Sequence, residues 1–337
     1  MALYTTTAMN SFPALIARQK DKTYSVALEQ LTMDQLPPGE LLIDVAYSSL
    51  NYKDALAITG RGRIVRKFPM VLGIDMAGTV IESASPDFAN GDQIVAVAHG
   101  LGESEWGGYS GMQTIRAETA VRLPSGMTPV QSMQIGTAGF TAMLCVIALQ
   151  QAGVTPDERE LVVTGAAGGV GSIAVMLLAR RGYPVVASTG RPEESEYLRN
   201  LGARSVMRRD ELLKKSGPME SERWGGGVDT VGGQTLASLY AQTAYGGAIA
   251  CCGMAGGHEL AIAVWPLILR NVSLLGVSSL RTPIAQRVTA WQTLAHEIDF
   301  DKLARLSRIE PLSRIAPLAE EILAGRVRGR VVVDVKG

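Results

Sequence analysis

Glycines that follow an apolar run are the residues with the clearest chemical meaning in this chain. Leu161–Thr164 is apolar and β-branched, as in a buried parallel strand, and glycine follows at positions 165, 168, 169 and 171. Such glycines let the backbone turn sharply and approach a pyrophosphate, while a helix from about Gly169 to Arg181 aims free N–H groups at that charge. The pattern predicts a dinucleotide site, with a plain βαβ crossover as the alternative.

The residues after the second strand of this unit indicate which dinucleotide binds. An NAD site usually carries an Asp or Glu about 20 residues after the glycines, where it binds the ribose 2′-hydroxyl. Here that place holds Ser188, Thr189, Gly190 and Arg191, and the next carboxylate is Glu193. The hydroxyls and the guanidinium suit a 2′-phosphate, to which a charged hydrogen bond contributes roughly 1.5–3 kcal/mol. We therefore expect NADPH; the alternative for Arg191 is a solvated loop charge.

Two domains are expected to position this site, because 337 residues exceed the size at which one hydrophobic core usually stops growing. The first part of the chain is typical of short strands separated by turns, with strands predicted at 41–47, 73–81 and 93–98. At Thr128 the pattern changes to helix, with Thr128 as the cap and Pro129 at the first helical position.

The rest of the chain repeats strand and helix, which predicts a doubly wound parallel sheet. The additional elements are strands at 227–231, 247–253 and 272–277 and helices near 285–297 and 318–324. A closing strand at 330–335 is expected to return to the first domain.

Composition and charge narrow the class of protein. The 32 basic residues balance the 32 acidic ones, and no basic block is interleaved with aromatic residues, which argues against a nucleic-acid partner. Cys145, Cys251 and Cys252 lack paired spacing, so we expect core thiols and a cytoplasmic protein. Residues 123–156 are interrupted by polar residues and predict no membrane span, and residues 1–11, without a basic leader, are interpreted as an extension.

Several collinear segments carry a family resemblance. They are Asn51-Tyr52-Lys53-Asp54, GIDMAG at 73–78 and GTAGFTA at 136–142, and they resemble the medium-chain dehydrogenase/reductase superfamily. VVTGAAGGVGS, STGR and WPLILRNVSLLGV are similar to its acrylyl-CoA reductase branch, long called putative quinone oxidoreductases. The resemblance covers nearly the whole chain from Phe12. It implies an α/β fold with a GroES-like β-rich catalytic domain (1–130), a Rossmann doubly wound NADPH-binding domain (131–277) and a return to the catalytic domain (278–337).

The same motifs indicate whether the chain has the residues of a zinc site. Zinc-bearing members of this superfamily use a catalytic Cys, a Gly-His-Glu segment and often a four-cysteine lobe, whereas this chain has Asn51-Tyr52 and Gly73-Ile74-Asp75 at the corresponding motifs. Its three histidines, His99, His258 and His296, are scattered. We therefore predict a protein without a metal, for which conjugate reduction of an activated double bond is the natural reaction.

The resemblance implies that NADPH reduces the α,β double bond of acryloyl-CoA to propanoyl-CoA. It assigns catalysis to Asn51 and Tyr52 beside the nicotinamide, with Tyr52 also contacting the cofactor or the developing enolate. The alternative for Tyr52 is an ordinary half-buried tyrosine. Asp75, although near the position where relatives bind zinc, is interpreted as a hydrogen-bonded structural carboxylate.

The resemblance also implies a set of cofactor-binding residues. Pyrophosphate contacts fall on Ala167, Gly168, Gly169 and Val170. Contacts with the 2′-phosphate fall on Ser188, Thr189, Gly190, Arg191 and Arg209, and nicotinamide contacts on Met254, Ile268 and Ser279. Without the resemblance, Arg209 is typical of a solvated charge, and Met254 and Ile268 are typical of core residues.

Two further features concern partners. Arg61, Arg63, Arg66 and Lys67 form a basic cluster suited to the phosphates of CoA, although such a run is also typical of a solvated face. The apolar segment 272–277 could pair with its twin across a two-fold axis, so we expect a homodimer. NADPH:quinone reduction on the same scaffold and a non-catalytic NADPH-binding sensor remain open as alternative functions.

Overall fold

A computed structural model describes residues 11–157, 159–214 and 217–337. The chain divides into two compact units. The first unit comprises residues up to Gly136 together with Ser307–Arg326 and Val331–Gly337, and the second comprises Thr137–Leu306 and Val327–Arg330. The interpretation of residues 1–11 as an extension falls almost entirely outside the described residues.

The described residues form sixteen strands and nine α-helices. The strands are β1 (Phe12–Lys20), β2 (Thr23–Leu31), β3 (Leu41–Leu50), β4 (Met70–Val71), β5 (Asp75–Ser83), β6 (Gln93–Val97), β7 (Met112–Ile115), β8 (Ala120–Arg122), β9 (Leu161–Thr164), β10 (Val185–Thr189), β11 (Ser205–Arg208), β12 (Trp224–Asp229), β13 (Thr243–Cys251), β14 (Ser273–Gly276), β15 (Ser307–Pro311) and β16 (Arg330–Asp334). The helices are α1 (Tyr52–Thr59), α2 (Pro129–Gln151), α3 (Gly169–Arg180), α4 (Ser195–Leu201), α5 (Gly233–Ala241), α6 (Trp265–Leu269), α7 (Ile284–Glu297), α8 (Phe300–Arg305) and α9 (Ile315–Leu323).

The first unit is β-rich, as predicted. A small sheet has the order β2-β1-β4, and a larger one has the order β15-β16-β3-β5-β6-β8, with β7 also paired to β3. The closing strand β16 pairs antiparallel with β3, so that Val333 lies opposite Ser48. This confirms that the last strand returns to the first part of the chain.

The second unit is built on one parallel sheet of order β11-β10-β9-β12-β13-β14. This order, with the first strand of the unit in the middle, is that of a Rossmann domain and confirms the doubly wound prediction. Its core buries Val162 and Ile249 of the sheet with Trp224 and Tyr240.

Strand β12 begins at Trp224, earlier than the predicted Gly227. The glycines at 225 and 226 lie inside this strand, where the neighbouring backbones approach closely. A Cβ on Gly226 would lie 2.0 Å from the Ala248 carbonyl oxygen, and one on Gly227 would lie 2.2 Å from that of Val162. Glycine is required here for strand contact.

The second unit continues to Leu306, beyond the boundary at 277 expected from the sequence. Helix α7 explains this difference. Its Trp291 stacks on Phe140 with ring centroids 6.2 Å apart, and Arg287 donates from Nη1 to the Ser279 carbonyl at 3.0 Å. Of the residues after 277, Ser307–Arg326 and Val331–Gly337 belong to the first unit.

Helix α2 spans the boundary between the units and bends at Gly136, where φ is 52°. Thr128 caps it as predicted, since the Gln131 N–H donates to Thr128 Oγ1 at 3.3 Å. Of the helices in the described residues, α2 alone is long and apolar enough to cross a membrane, but 78% of its most apolar window is buried within the protein. That burial is typical of a core helix.

Candidate active site

The glycine turn of the second unit has the geometry of a phosphate-binding turn. Gly165 has a φ of +59°, and a Cβ there would lie 2.4 Å from Thr230 Oγ1. A Cβ on Gly171 would lie 2.4 Å from the Gly165 carbonyl oxygen. Gly168 is the N-cap of α3, and the first bond inside the helix runs from the Ser172 N–H to the Gly168 carbonyl. The preceding N–H groups of the first turn remain available to an anion.

The four predicted pyrophosphate residues, Ala167, Gly168, Gly169 and Val170, all lie in this turn and the first turn of α3. The buried guanidinium of Arg330 lies beside them, since a Cβ on Gly169 would be 3.2 Å from its Nη1. Arg330 is the first residue of β16, and no local pattern beyond an apolar strand indicated its position. Its charge adds to the field of the helix terminus at the same place.

Asp229 at the end of β12 holds the turn in place. Thr164 Oγ1 donates to Asp229 Oδ1 at 2.7 Å, and the Gly232 N–H donates to Oδ2 at 2.7 Å. Thr230 binds back to Thr164 through both its N–H and its hydroxyl. Burial raises the pKa of Asp229 while these hydrogen bonds oppose that rise. Sequence reasoning missed this residue, although an Asp between a strand and two glycines was a usable signal.

Ser188 and Thr189 lie buried at the carboxyl end of β10. The Arg191 N–H donates to Thr189 Oγ1 at 3.1 Å, and its Nη2 donates to the Ala167 carbonyl at 3.1 Å. The guanidinium is also 4.0 Å from Glu194. The structure therefore places Arg191 against the glycine turn rather than out in solvent.

Arg209 lies on the same side as Arg191. It follows the last residue of β11, Arg208, which is in register with Thr189. A Cβ on Gly190 would lie 2.8 Å from the Arg209 Cζ, so glycine is what lets this guanidinium lie over the backbone. Arg208 pairs with Asp210, but Arg209 has no carboxylate partner within the described residues. We call Ser188, Thr189, Gly190, Arg191 and Arg209 the cation edge.

Met254 and Ser279 follow the carboxyl ends of β13 and β14, on the same edge of the sheet. Met254 is 69% exposed, and its Cα would lie 3.3 Å from a Cβ on Gly232. The Ser279 carbonyl is held by Arg287. Neither residue is a buried core residue, and the nicotinamide contacts of both stay predictions.

Ile268 is not brought to this edge by the described contacts. It lies in α6 and is 73% exposed. Arg270, two residues later, donates to the carbonyl of Thr243, the first residue of β13. The cofactor role of Ile268 stays a prediction, and its exposure argues against the core alternative.

The Asn51-Tyr52 motif lies where β3 ends and α1 begins in the first unit. Asn51 is the N-cap of α1, and its backbone N–H donates to Asp54 Oδ2 at 2.9 Å. Its side-chain Nδ2 donates to Asp75 Oδ2 at 2.9 Å and to Asp54 Oδ2 at 3.1 Å. Ser49 donates to Asp75 through its hydroxyl. We call Ser49, Asn51, Asp54 and Asp75 the acid cluster; Tyr52, the first residue of α1, is 44% exposed beside it.

Asp54 is the residue that sequence reasoning missed in this motif. It is fully buried and also accepts the Ile74 N–H at 2.9 Å. Burial first, and the nearby Asp75 second, raise its pKa to about 7 against the effect of its N–H donors. The capping pattern of Asn followed three residues later by Asp was the available signal.

Metal-binding residues do not gather in the part of the chain that the structure describes. There, no three His, Cys, Asp or Glu residues are grouped so that they could hold an ion. Asp75 has Ser49 and Asn51 as neighbours, which are weaker metal ligands than Cys or His.

Family models match both parts of the chain. Residues 37–156 match the alcohol dehydrogenase GroES-like domain, and residues 169–296 match the zinc-binding dehydrogenase domain. These matches fall on the β-rich part and on the Rossmann sheet, as the fold requires.

Individual relatives are similar over nearly their whole length. The probable acrylyl-CoA reductase AcuI of Escherichia coli is 47% identical, over 96% of this chain and 99% of its own. The crystal structure of the YhdH oxidoreductase of Salmonella enterica with NADP superposes with a TM-score of 0.93 at 46% identity, covering 96% of this chain and 99% of that one. YhfP of Bacillus subtilis, named a putative quinone oxidoreductase, is 42% identical over 96% of this chain and 98% of its own. Its structure with NAD has a TM-score of 0.92. The chain therefore belongs to the medium-chain dehydrogenase/reductase superfamily, in the branch that contains AcuI.

Proposed function

We propose that this protein is an NADPH-dependent, zinc-independent reductase that converts acryloyl-CoA to propanoyl-CoA. The observation that carries the proposal is the 47% identity to AcuI of E. coli over nearly the full length of both chains. The cation edge supports the choice of cofactor, because Arg191 directly follows Gly190 and the Arg209 guanidinium lies over Gly190. No carboxylate stands at 188–191, where an NAD site usually has one.

When bound, NADPH supplies the hydride for the β-carbon of the thioester. The protein's part is to bind and orient. The N-terminus of α3 and the guanidinium of Arg330 would hold the pyrophosphate, and Arg191 and Arg209 would hold the 2′-phosphate with the hydroxyl of Thr189. Asp229 keeps the turn that presents these groups in shape.

Tyr52 is assigned to the reacting centre. Reduction of the β-carbon would place negative charge on the thioester oxygen, and the hydroxyl of Tyr52, a residue 44% exposed, would donate a hydrogen bond to that oxygen. The α-carbon would then take a proton from solvent water, which completes propanoyl-CoA. Asn51 acts as a positioning residue, because its amide N–H groups are used within the acid cluster to fix the start of α1.

The proposal is tested by steady-state NADPH oxidation with acryloyl-CoA, crotonyl-CoA and a simple quinone, each repeated with NADH. Efficient turnover of acryloyl-CoA with NADPH and little turnover of quinone supports the thioester reductase. Preferential quinone turnover would favour the second candidate, which the name of YhfP supports. Tight NADPH binding without any turnover would indicate a sensor.

A homodimer is part of the same proposal. Within the described residues β14 pairs only with β13, which leaves one edge of the parallel sheet open. Helix α6 lies just before it and exposes Trp265 and Leu269, at 53% and 60%. A second copy would cover both features. Light scattering should give twice the 35.8 kDa chain mass, and Trp265→Lys/Leu269→Lys should give the monomer.

We also place the enzyme in the cytoplasm. Cys145, Cys251 and Cys252 are all free thiols, and burial raises the pKa of Cys251 to about 12. Unpaired thiols fit a reducing compartment. Cell fractionation with the untagged protein checks this assignment.

A further inference from the structure

The loop between α1 and β4 is the most basic segment of the first unit. Residues 60–69, which we call the basic loop, contain four cations and no acid: Arg61, Arg63, Arg66 and Lys67. All four side chains lie in exposed residues. The mechanism proposed above assigns no role to these four positive charges.

Most of these cations are not neutralised by the protein. Arg61 pairs with Glu320 at 2.9 Å, but both side chains are about half exposed, so that pair contributes little. In the described part of the chain, Arg63, Arg66 and Lys67 form no ion pair. A surface that lacks matching carboxylates favours an anionic ligand.

The basic loop is anchored to the fold and to the Tyr52 motif. The Arg66 N–H donates to the Glu103 carbonyl at 2.8 Å, and the Glu103 carboxylate accepts from Lys53 Nζ at 2.8 Å. Lys53 directly follows Tyr52 in α1. The eight residues of α1 place the start of the basic loop about 12 Å from Tyr52 along the helix axis.

An exposed aromatic ring lies next to these charges. Phe68 is 36% exposed and meets Tyr24 edge to face, with ring centroids 5.8 Å apart. Tyr24 in turn lies under Gly60, since a Cβ there would be 3.0 Å from its ring. The edge contact fixes the Phe68 ring and leaves part of it open to a base.

We propose that the basic loop binds the adenosine 3′-phosphate diphosphate end of CoA, with Arg63, Arg66 and Lys67 on the phosphates and Phe68 against the adenine. This inference rests on the proposed function, because the thioester must reach Tyr52 while the pantetheine arm extends to the loop. This ligand requires cations for its phosphates, an aromatic ring for its adenine, and a distance between the loop and Tyr52 that the pantetheine arm can span. The three unpaired cations, the Phe68 ring and the length of α1 provide these features.

The test compares two pairs of substitutions that remove the same charge. Arg63→Gln/Arg66→Gln alters the basic loop, and Lys20→Gln/Lys22→Gln, at the turn between β1 and β2, is the control. We expect the loop variant to raise KM for acryloyl-CoA at least tenfold, with less than a twofold change for the acryloyl thioester of N-acetylcysteamine, which lacks the phosphates. The control should change neither KM.

NADPH also carries an adenosine phosphate, so KM for NADPH is measured in each variant. A rise for NADPH instead of acryloyl-CoA, an equal rise for both thioesters, or no rise would each overturn the inference. Calorimetry with free CoA provides a readout that does not need turnover. If the wild-type enzyme reduces no thioester, the proposed function fails, yet loss of CoA binding in the loop variant alone would still support the site, and absence of CoA binding in the wild type would reject it.

Discussion

The acid cluster of the first unit and the cation edge of the second unit use polar side chains in opposite ways. In the acid cluster, Asp54 and Asp75 are buried, and backbone and amide donors of the same fold surround them. At the cation edge, Arg209 is exposed and has no carboxylate partner within the described residues. A side chain that fixes the backbone makes its hydrogen bonds within the protein, whereas one that binds a free ligand keeps its donors available to that ligand.

Tyr52 lies at the outer boundary of the acid cluster, and its substitution should have the largest effect. If the hydroxyl stabilises the developing oxyanion, Tyr52→Phe should lower kcat by roughly 10²–10³-fold, as removal of one such donor does elsewhere. KM for NADPH should change little. Turnover is measured at saturating NADPH and acryloyl-CoA; unchanged turnover would show that this side chain does no chemistry.

Arg191 tests the cation edge. Arg191→Glu should reduce kcat/KM for NADPH by about a hundredfold or more, because a charged hydrogen bond worth roughly 1.5–3 kcal/mol is replaced by repulsion. Efficiency with NADH should be retained. Arg208→Glu, which changes the same charge at an exposed position already paired with Asp210, is the control. An unaltered ratio of the two efficiencies would remove Arg191 from the 2′-phosphate site.

Asp54 tests whether the acid cluster is structural. An amide cannot accept all of the N–H donors that Asp54 accepts, so Asp54→Asn should lower the free energy of unfolding by about 1–3 kcal/mol at pH 5. The raised pKa sets the pH dependence. In the folded protein Asp54 keeps its proton up to about pH 7, whereas the unfolded chain releases it near 3.8.

The stability that this proton contributes is greatest below pH 3.8 and is lost as the pH rises to about 7. The difference in Tm between wild type and Asp54→Asn should therefore shrink between pH 5 and pH 8. Thermal unfolding at these two values measures it. A difference that grows with pH would contradict the protonated state.

Substitution of Gly190 should have the smallest effect, and it directly compares KM for NADPH with KM for NADH. Gly190→Ala places a methyl group 2.8 Å from the Arg209 Cζ, and the flexible guanidinium can move away. We expect KM for NADPH to rise by roughly tenfold, corresponding to one weakened charged contact, and KM for NADH to stay constant. A rise for both cofactors would point to a damaged backbone instead.

Most of the features predicted from the sequence rest on local patterns of residues. The glycine turn and Arg191 lie within one short strand-turn-helix-strand unit, so spacing alone places them together. The acid cluster depends on β3 lying beside β5, a register that no local pattern reveals. Residues 278–306 were assigned to the wrong unit because the stacking of Trp291 on Phe140 joins distant parts of the chain. Strand β12 begins three residues before the predicted Gly227, because the close backbone approach at Gly226 and Gly227 is a property of the sheet and not of the local pattern.

The pairing of β16 with β3 has a consequence for how the protein is made. Chains leave the ribosome from the N-terminus, and domains generally fold as their residues emerge. Here Leu50 pairs with Val331, and most of the second unit lies between these two residues in the chain. The first unit therefore cannot close until β16 has been synthesised, and all but the last few residues of the second unit precede that strand. We expect the later unit to fold first during translation and the earlier one to wait with an open sheet edge that chaperones must protect.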